Sequence, residues 1–433
     1  MSRKKIAIIG SGISGLTAAA KLHPNHDIHV FEANDIIGGH THTEQVEIEG
    51  KTYGINTGFI VYNDWVYKNF NELMAPLNLK RVPTEMSFSI KDDITGLEYN
   101  GHNLDTLFAQ RRNLFSPKFY KMIKDILKFN RESIADYNAN AIDESLTLAE
   151  YFNQKNLGKM FINKYIIPMG AAIWSSGEAD MMNFPALFFI RFFKNHGLLS
   201  IKDRPQWYTL EGGSAAYLEP LSRPFKDKIT TSARIKTVIR KADSVELVME
   251  NNNKITFDEV VFACHSDQAL ALLDQPSQAE TEILGAIPYT PNEVILHTDE
   301  SLLPKRRKAW AAWNYHLGID NKAPASLTYN MNMLQSIEDA PVTFCVTLNR
   351  TQLIDPSKII GRYQYDHPVF GPKTEGAQAR YHEIGNQQRT HFCGAYWFNG
   401  FHEDGVNSAL RVVQDIESQQ SSAGTASTQG AHV

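Results

Sequence analysis

The sequence predicts an α/β fold in which a doubly wound, mainly parallel sheet is joined to a discontinuous region of mixed α+β structure. Three observations support this fold. The chain opens with a strand, a glycine-rich turn, a helix of small residues and a second strand, which is the order of a doubly wound sheet. Residues 69–156 then follow a mainly helical pattern. Strand-like runs return from about residue 229 onward, so the chain leaves its first domain and comes back to it.

Length and charge describe an ordinary globular protein rather than one that binds nucleic acid. The 433 residues carry a formal net charge of -5, with acidic and basic residues interleaved, so no basic stripe is available for a phosphate backbone. Cys264, Cys345 and Cys393 are far apart, which suggests neither a disulfide framework nor a metal site. The N-terminal apolar run is too short for a signal-peptide core. We therefore expect a cytoplasmic protein with no nucleic-acid partner and no metal.

Two apolar stretches have more than one interpretation. No segment reaches the ~20 apolar residues that cross a bilayer, but residues 161–174 and 184–193 are rich in aromatic and aliphatic side chains. Both stretches could be buried helices. The other interpretation is that they touch the inner face of a membrane peripherally, or line an apolar substrate tunnel.

The first strand leads into the motif G-x-G-x-x-G, formed by Gly10, Gly12 and Gly15. Gly10 permits the tight turn, Gly12 allows the backbone to approach a pyrophosphate, and Gly15 allows helix and strand to pack closely. The helix begins at Ile13 and Ser14, and its N-terminal amides can donate to phosphate oxygens. The pattern predicts a dinucleotide site that is held by backbone groups.

The second predicted strand ends in an acidic residue, Glu32. A carboxylate about 20 residues after the glycine motif can bond the ribose hydroxyls and would repel a 2′-phosphate, which disfavours NADP. The position of Glu32 does not separate NAD from FAD, because both cofactors contain the ADP moiety.

A paired-glycine segment directly follows Glu32 and carries a family resemblance. Its residues include Glu32, Ala33, Gly38, Gly39, His40 and Thr41. The segment resembles the E-A-x-x-x-x-G-G-R-x-x-T extension of the amine oxidase and phytoene desaturase class of flavoproteins. In that family the glycines and the Arg lie against the FAD pyrophosphate. The resemblance therefore implies FAD, with His40 in place of the Arg as a shorter donor whose charge depends on pH.

The resemblance continues along the chain. Gly58 and Phe59 resemble the family's segment beside the flavin ring, and Val238 lies in a strand whose matching residue contacts adenine through its backbone. Residues near 392–409 are similar to the C-terminal signature that closes over the ribityl chain and the flavin. The residues implied in that contact are Gly394, Ala395, Asp404, Gly405 and Val406. Noncovalent FAD is expected, because no cysteine matches the attachment position of monoamine oxidases.

The resemblance also implies a domain organisation. It predicts a Rossmann-like FAD-binding domain of the glutathione reductase type with a discontinuous mixed α+β substrate domain, as in monoamine oxidase-like flavoproteins. The FAD-binding domain is expected to comprise 1–68, 205–285 and 386–417, and the substrate domain 69–204 and 286–385. Residues 418–433 are rich in Ser, Gln, Gly, Thr and Ala, and a disordered tail is expected there.

A closer resemblance points to lipid chemistry. Residues 173–175, 193–199, 310–315 and 400–405 look like a bacterial subgroup of predicted NAD/FAD-binding, amine-oxidase-like proteins. Members of that subgroup are often associated with lipid methyltransferases that resemble cyclopropane-fatty-acid synthase. The resemblance implies a lipid-like substrate, such as a fatty acyl chain, and a lipid-modifying enzyme as a partner.

The favoured hypothesis is dehydrogenation or desaturation of an apolar substrate by hydride transfer to flavin N5. His402 and Glu403 are the candidate bases for the proton that leaves with it, and the alternative is that they only hold their loop. Trp313 and Asn314 are candidates on the substrate side, although core packing explains them equally well.

Two alternative functions remain open. The first is amine oxidation, for which enzymes of this class commonly carry a lysine bridged by water to flavin N5, and the candidates here are Lys305 and Lys308. The second is a flavin-bearing binding or assembly protein with little turnover of its own.

Overall fold

The structure is a computed structural model that describes residues 3–318 and 325–427. The strands are β1 (Lys5–Ile9), β2 (Asp27–Phe31), β3 (Thr43–Ile48), β4 (Lys51–Asn56), β5 (Tyr62–Asn63), β6 (Arg81–Thr84), β7 (Phe88–Asp92), β8 (Leu97–Asn100), β9 (Trp207–Leu210), β10 (Ile229–Thr230), β11 (Ile235–Arg240), β12 (Val245–Met249), β13 (Lys254–Phe257), β14 (Glu259–Phe262), β15 (Tyr289–His297), β16 (Trp313–Leu317), β17 (Leu327–Asn330), β18 (Cys345–Leu348), β19 (Ile359–Pro368) and β20 (Thr390–Phe392). The α-helices are α1 (Ile13–Leu22), α2 (Lys68–Met74), α3 (Leu104–Leu107), α4 (Pro117–Asn138), α5 (Leu148–Gln154), α6 (Lys159–Phe161), α7 (Ile167–Trp174), α8 (Glu178–Met182), α9 (Ala186–Asn195), α10 (Leu218–Ser222), α11 (Ser266–Leu272), α12 (Gln278–Gly285), α13 (Met331–Leu334), α14 (Pro372–Ala379) and α15 (His402–Ser427).

A parallel sheet forms the centre of the first unit. Its strand order is β10-β2-β1-β14-β20, and every neighbouring pair is parallel. Ile8, Val30 and Val261 are fully buried in it, as is typical of a parallel sheet that is covered on both faces. This sheet confirms the α/β fold that the opening strand-turn-helix-strand order predicts.

Two different layers cover the parallel sheet. On one face α1, α10 and α15 contribute to a core that includes Leu16 and Val412. On the other face lies a core shared by α11, α12 and the antiparallel sheet β11-β12-β13. The sheet is therefore buried between helices on one side and a mixed layer on the other.

A second, larger sheet has the strand order β19-β15-β18-β17-β16-β7-β8. The pairing of β7 with β16 is parallel, and the other neighbouring pairs are antiparallel. Because β7 and β8 precede the other members by some 200 residues, this sheet forms only when the two halves of the chain meet.

The stretch 69–156 is less helical than the sequence predicts, because it also contains β6, β7 and β8. Two of these short strands pair with partners that are distant in sequence, β6 with β9 and β7 with β16, and β8 pairs with β7. Strand formation depends strongly on such tertiary pairing, which local spacing of apolar residues does not reveal.

Helices α4 to α9 cover the larger sheet with an aromatic core. Residues 161–174 form part of it, as the end of α6, a π-helical turn (Ile162–Ile166) and the whole of α7. The side chains of Phe189 and Phe193 in α9 are at most 1% exposed. Neither apolar stretch is therefore a surface patch. No helix among the described residues is long and apolar enough to cross a membrane.

The last helix, α15, is longer than expected. Its backbone continues to Ser427, whereas the sequence predicted a disordered tail from residue 418. Extending an existing helix avoids the cost of nucleation, which allows a segment of low apolar content to continue it. The remainder of the predicted tail, 428–433, lies outside the described residues.

Candidate functional site

The glycine motif makes the turn between β1 and α1. Gly10 has φ = 106°, a conformation that L side chains rarely adopt, and a Cβ there would stand 2.7 Å from the carbonyl oxygen of Ala263. A Cβ on Gly15 would collide with the carbonyl oxygen of Gly10. Both glycines are therefore required by the packing of the turn itself.

Gly12 differs from its neighbours because a Cβ on it would meet nothing within 4 Å. Gly12 is the N-cap of α1, where no side chain caps the helix and the first turn holds no acidic residue. The open space thus lies directly at uncapped amides, whose partial positive charge favours an anion. The side chains of Ile13 and Ser14, which follow, are buried.

Glu32 is buried at the end of β2 and is held by backbone and hydroxyl donors. One carboxylate oxygen accepts from the Ser11 N–H at 3.0 Å and from Ser11 Oγ at 2.6 Å, and the other accepts from the Asn34 N–H at 2.9 Å. A carboxylate has about four acceptor positions, so Glu32 keeps capacity for a ribose hydroxyl. Ser11 was not predicted from the sequence, and Ala33 is exposed beside it.

The paired glycines lie over the turn of the first motif. Gly38 has φ = 120° and donates its N–H to the carbonyl oxygen of Ser11 at 3.1 Å. A Cβ on Gly39 would lie 3.2 Å from Gly12 Cα. The two glycine segments that the sequence singled out are therefore in contact, and together they border the space at Gly12.

The segment containing Gly58 and Phe59 lies beside this loop. The N–H of Phe59 donates to the carbonyl oxygen of His40 at 2.8 Å, and a Cβ on Gly58 would collide with that same oxygen. Both residues are half-buried. The sequence-predicted residues of this region are thus brought together by backbone contacts.

Thr41 joins the loop to the C-terminal segment. Thr41 Oγ1 lies 2.9 Å from His402 Nε2 and 2.5 Å from the hydroxyl of Tyr217. The His402 ring stacks on Phe59 with centroids 3.6 Å apart. Tyr217 was not predicted, and its only sequence signal is its place after the G-G pair of residues 212–213.

His40 occupies the position where the family carries an arginine. Its Nε2 is buried and has no hydrogen-bond partner among the described residues, and its ring lies 5.1 Å from Tyr365, 5.6 Å from His367 and 5.8 Å from His265. Burial, and after it the neighbouring histidines, hold the pKa of His40 well below its ordinary value. The His40 imidazole is therefore neutral at neutral pH. Any contact that it makes with the pyrophosphate lacks the positive charge of the family's arginine.

The C-terminal segment closes against the start of α1. Ser408 Oγ accepts the N–H of Gly394 at 2.9 Å and donates to the carbonyl oxygen of Gly405 at 2.8 Å. A Cβ on Gly405 would stand 2.8 Å from Ile13 Cγ2, and Val406 is buried in the core that α1 shares. Ala395 follows Gly394 in a turn of 3-10 helix. Gly405 thus lies at the N-terminus of α1, and Ser408 joins Gly394 to α15.

Asp404 is the most perturbed acid of this segment. Its carboxylate accepts the N–H of Phe401 at 2.9 Å and lies 3.3 Å from Asn399 Nδ2. Burial raises the pKa of Asp404 to about 7. A carboxyl group with this pKa can both give and take a proton near neutrality.

The structure gives His402 and Glu403 contacts that hold neighbouring elements, and their role as bases stays a prediction. Burial lowers the pKa of the His402 imidazole to about 3, so it takes up a proton poorly at neutral pH. The Glu403 carboxylate accepts the N–H groups of Asn69 and Phe70 at 2.9 and 2.8 Å, at the start of α2. Both side chains hold elements in place.

Val238 is not placed for the predicted adenine contact. It is fully buried and its carbonyl oxygen accepts the N–H of Asp274 at 3.1 Å. The residue that lies next to Glu32 is instead Ala233, because its N–H donates to the Glu32 carbonyl oxygen at 2.8 Å. The start of β11, at Ile235, therefore replaces Val238 as the candidate for the adenine side.

Asn314 is a structural residue rather than a substrate ligand. Its Oδ1 accepts from Ser89 Oγ and the Ala311 N–H, and its Nδ2 donates to the carbonyl oxygens of Ala311 and Thr328, all within 3.1 Å. No hydrogen-bonding capacity is left for a substrate. Trp313 differs, because it is half-buried and packs edge-on against Tyr329 at 5.0 Å; its buried Nε1 has no partner among the described residues.

These features define a dinucleotide-binding flavoprotein of the oxidoreductase class. The family of flavin containing amine oxidoreductases matches residues 13–335, and the chain belongs to that family. It is therefore an FAD-dependent oxidoreductase, as the resemblance in the sequence implied.

Comparisons with individual proteins of known sequence or structure are consistent with this family. A segment of 66 residues is 36% identical to the 4,4′-diapophytoene desaturase of Staphylococcus aureus, which is 15% of this chain and only 12% of that protein's length. The fold is similar to a CLA-producing fatty acid isomerase from P. acnes, with a TM-score of 0.68 and 16% identity over 95% of this chain and 98% of the other. It is also similar to cyclohexylamine oxidase from Brevibacterium oxydans, with a TM-score of 0.66 and 16% identity over 96% and 100% of the two chains.

The residues present fit an FAD molecule. The open space at Gly12 accepts a group at the helix amides, Glu32 keeps acceptor capacity for a ribose, and the unpaired Nε2 of His40 offers one more polar contact. These residues would hold the ADP and pyrophosphate part, with Gly405 and Val406 on the flavin side. Cys393 is fully buried in the hydrophobic core, which is consistent with noncovalent binding.

Proposed function

We propose that the chain dehydrogenates an apolar, lipid-like substrate. The observation that carries this proposal is the contact between the Phe-rich helix α9 and the segment that closes the cofactor site. Phe192 of α9 stacks on Phe401 with centroids 5.1 Å apart, and Phe401 directly precedes the closing helix α15. Phe192 and Phe401 therefore form an aromatic wall that extends to the place where the flavin is expected.

The same wall contains an uncharged histidine. The His196 ring lies 6.0 Å from Phe401 and stacks on Trp207 at 6.4 Å, and its Nδ1 is bonded to the Phe192 carbonyl oxygen at 2.9 Å. Burial lowers the pKa of His196 to about 4, so the imidazole is neutral at neutral pH. A wall of aromatic rings and a neutral imidazole suits a hydrocarbon chain better than a polar substrate.

The lysines considered for amine oxidation lie elsewhere. Lys308 forms an ion pair with Asp105 at 2.9 Å on the surface, and the backbone N–H of Lys305 donates to Glu98. Both belong to the edge of the larger sheet near β8. Neither residue supports the amine oxidase alternative.

When bound, FAD supplies the acceptor for a hydride from a substrate C–H bond. The protein's part is to orient that bond, exclude water with the aromatic wall and accept the proton that leaves the neighbouring carbon. We assign the proton to Asp404, because its pKa of about 7 suits proton uptake at neutral pH and its carboxylate is bonded to the backbone of Phe401 in the wall. One hydride and one proton together balance the formation of one C=C bond.

Two names among the similar proteins are in keeping with this proposal: one is a desaturase and one acts on a fatty acid. A lipid substrate also agrees with a partner that modifies lipids, which we propose from the resemblance of the sequence to the bacterial subgroup.

The test is anaerobic reduction of the protein-bound flavin. We expect the flavin absorbance to bleach on addition of long-chain acyl lipids, and Phe192→Leu, which keeps an apolar side chain at this buried position, to slow the bleaching while flavin content is retained. Bleaching by amines but by no acyl lipid would replace the proposal with amine oxidation. Oxidised flavin with every compound, together with stable co-purification of a partner, would instead favour the assembly protein.

A further inference from the structure

A group of large apolar side chains is exposed at one edge of the helical layer. Phe115 is 87% exposed, Leu104 75% and Ile94 62%. Leu114 and Tyr120 beside them are also exposed. Single exposed apolar residues are common on protein surfaces, but a cluster of five is a sign of an interaction site.

Hydrogen bonds and ring contacts hold these residues in one region. Arg112, in the 3-10 segment Arg111–Phe115, donates to the carbonyl oxygen of Gly96 at 2.8 Å, in the turn that also carries Ile94. Phe108 and Tyr120 have ring centroids 5.8 Å apart, so the end of α3 lies against the start of α4. The exposed residues therefore share one face rather than being scattered.

Cations lie next to these exposed residues. A cavity next to Phe115 is lined by Arg112, Lys118, Lys159 and Lys164, together with Ser116. Lys164 is neutralised by Asp92 at 2.7 Å. The other three have no acidic partner among the described residues, although the chain as a whole carries a formal net charge of -5. Arg112, Ser116 and Lys118 flank Phe115 in the chain, so the positive charge lies beside the segment that carries this exposed side chain.

We propose that this basic aromatic surface, formed by Ile94, Leu104, Leu114, Phe115, Tyr120, Arg112, Lys118 and Lys159, docks the protein on an anionic lipid bilayer. Exposed apolar side chains beside a group of unpaired cations match the interface of a membrane, where apolar groups enter the acyl boundary and cations bind anionic headgroups. The proposal does not depend on the substrate. It also replaces residues 184–193, whose aromatic side chains are buried, as the membrane contact, whereas Lys164 of the stretch 161–174 lines the cavity beside this surface.

The occupant follows from the charges and the shape of the surface. Three cations without acidic partners among the described residues favour an anionic counterpart, and they line one cavity of about 530 Å³. The apolar residues stand on separate turns and short helices, so they reach a soft boundary more readily than they form a flat protein interface. Anionic phospholipid satisfies both requirements at once.

The test is co-sedimentation of the flavin-loaded protein with vesicles. We expect binding to phosphatidylcholine vesicles that contain a third of phosphatidylglycerol, little binding to pure phosphatidylcholine, and release at high sodium chloride. Phe115→Ser should weaken binding about tenfold or more, because an inserted aromatic side chain is lost. The double variant Lys118→Glu with Lys159→Glu should weaken it by at least about fivefold per site.

Matched control variants separate docking from loss of folding. Leu353→Ser removes an apolar side chain that is 47% exposed elsewhere on the molecule, and Lys226→Glu reverses an exposed charge near β10. Both should bind vesicles as the unmodified protein does, and all four variants should keep their flavin.

Two results would overturn the proposal. One is the absence of binding to anionic vesicles at low salt. The other is binding that inorganic phosphate competes away while Phe115→Ser leaves it unchanged, since that would indicate a site for a small soluble anion. Neither result would affect the proposed dehydrogenation, which is measured by flavin bleaching without vesicles.

Discussion

Gly405 in the last helix lies against Ile13 in the first, so closely that a Cβ on Gly405 would stand 2.8 Å from Ile13 Cγ2 and 2.9 Å from Ser14 Oγ. The two residues are nearly the length of the chain apart. Their contact places the start of α15 beside the uncapped start of α1, so the cofactor site is assembled from both ends of the sequence.

Replacing Gly405 with alanine should separate these helices. The new methyl group must displace Ile13 and Ser14, and such overpacking costs about 1–3 kcal/mol. We expect the affinity for FAD to fall about tenfold, measured by titration of the apoprotein with FAD. Gly376→Ala is the matched control, because its Cβ would meet nothing within 4 Å in α14, and a helical alanine is favourable there. Equal loss of FAD from both variants would contradict this account.

Gly12→Ala tests whether the space at α1 belongs to a ligand. No protein atom lies within 4 Å of the new Cβ, and the Gly12 backbone, with φ = -65°, suits any residue. Thermal unfolding of the apoprotein should therefore be unchanged, whereas FAD binding should weaken about tenfold. Gly15→Ala, which collides with the Gly10 carbonyl, should instead prevent folding. If Gly12→Ala bound FAD normally, the pyrophosphate would have to lie elsewhere.

Asp404 predicts a pH dependence of stability. Burial raises the pKa of Asp404 from 3.8 to about 7, so the folded protein favours the protonated carboxyl. Its contribution to stability is present below the ordinary pKa and is lost as the pH rises through about 7. Asp404→Asn should therefore raise the unfolding temperature of the flavin-loaded protein at about pH 8 and change it little at about pH 4. An identical shift at both pH values would exclude this titration.

Glu403→Gln distinguishes a structural carboxylate from a catalytic one. The change weakens the charged acceptor for the first N–H groups of α2, which should cost about 1 kcal/mol of unfolding free energy. Urea unfolding measures that loss, and the rate of flavin bleaching should remain within about threefold of the original. A fall in bleaching rate of about a hundredfold, with flavin content intact, would restore Glu403 as the base.

Local features of the site were predictable from the sequence, and features that depend on distant pairing were not. The conformations of Gly10 and Gly38 are determined by turns that span a few residues, so the glycine motifs in the sequence are enough to predict them. The hydrogen-bonding groups of the Asn314 side chain are all used only because Ser89, some 225 residues away in the chain, contributes a donor. Val238 is buried because the chain at 272–274 packs against it. Tertiary contacts of this kind leave no local signal.

The meeting of α1 and α15 also sets an order of events during synthesis. The first strand and helix leave the ribosome early and can fold as the chain grows, but the partner of Ile13 emerges only after some 390 further residues. For most of its translation, a nascent chain therefore contains the α1 part of the cofactor site but not the α15 part. The contact between Gly405 and Ile13 can form only once residue 405 has been made, so the complete cofactor site is assembled after nearly all of the chain.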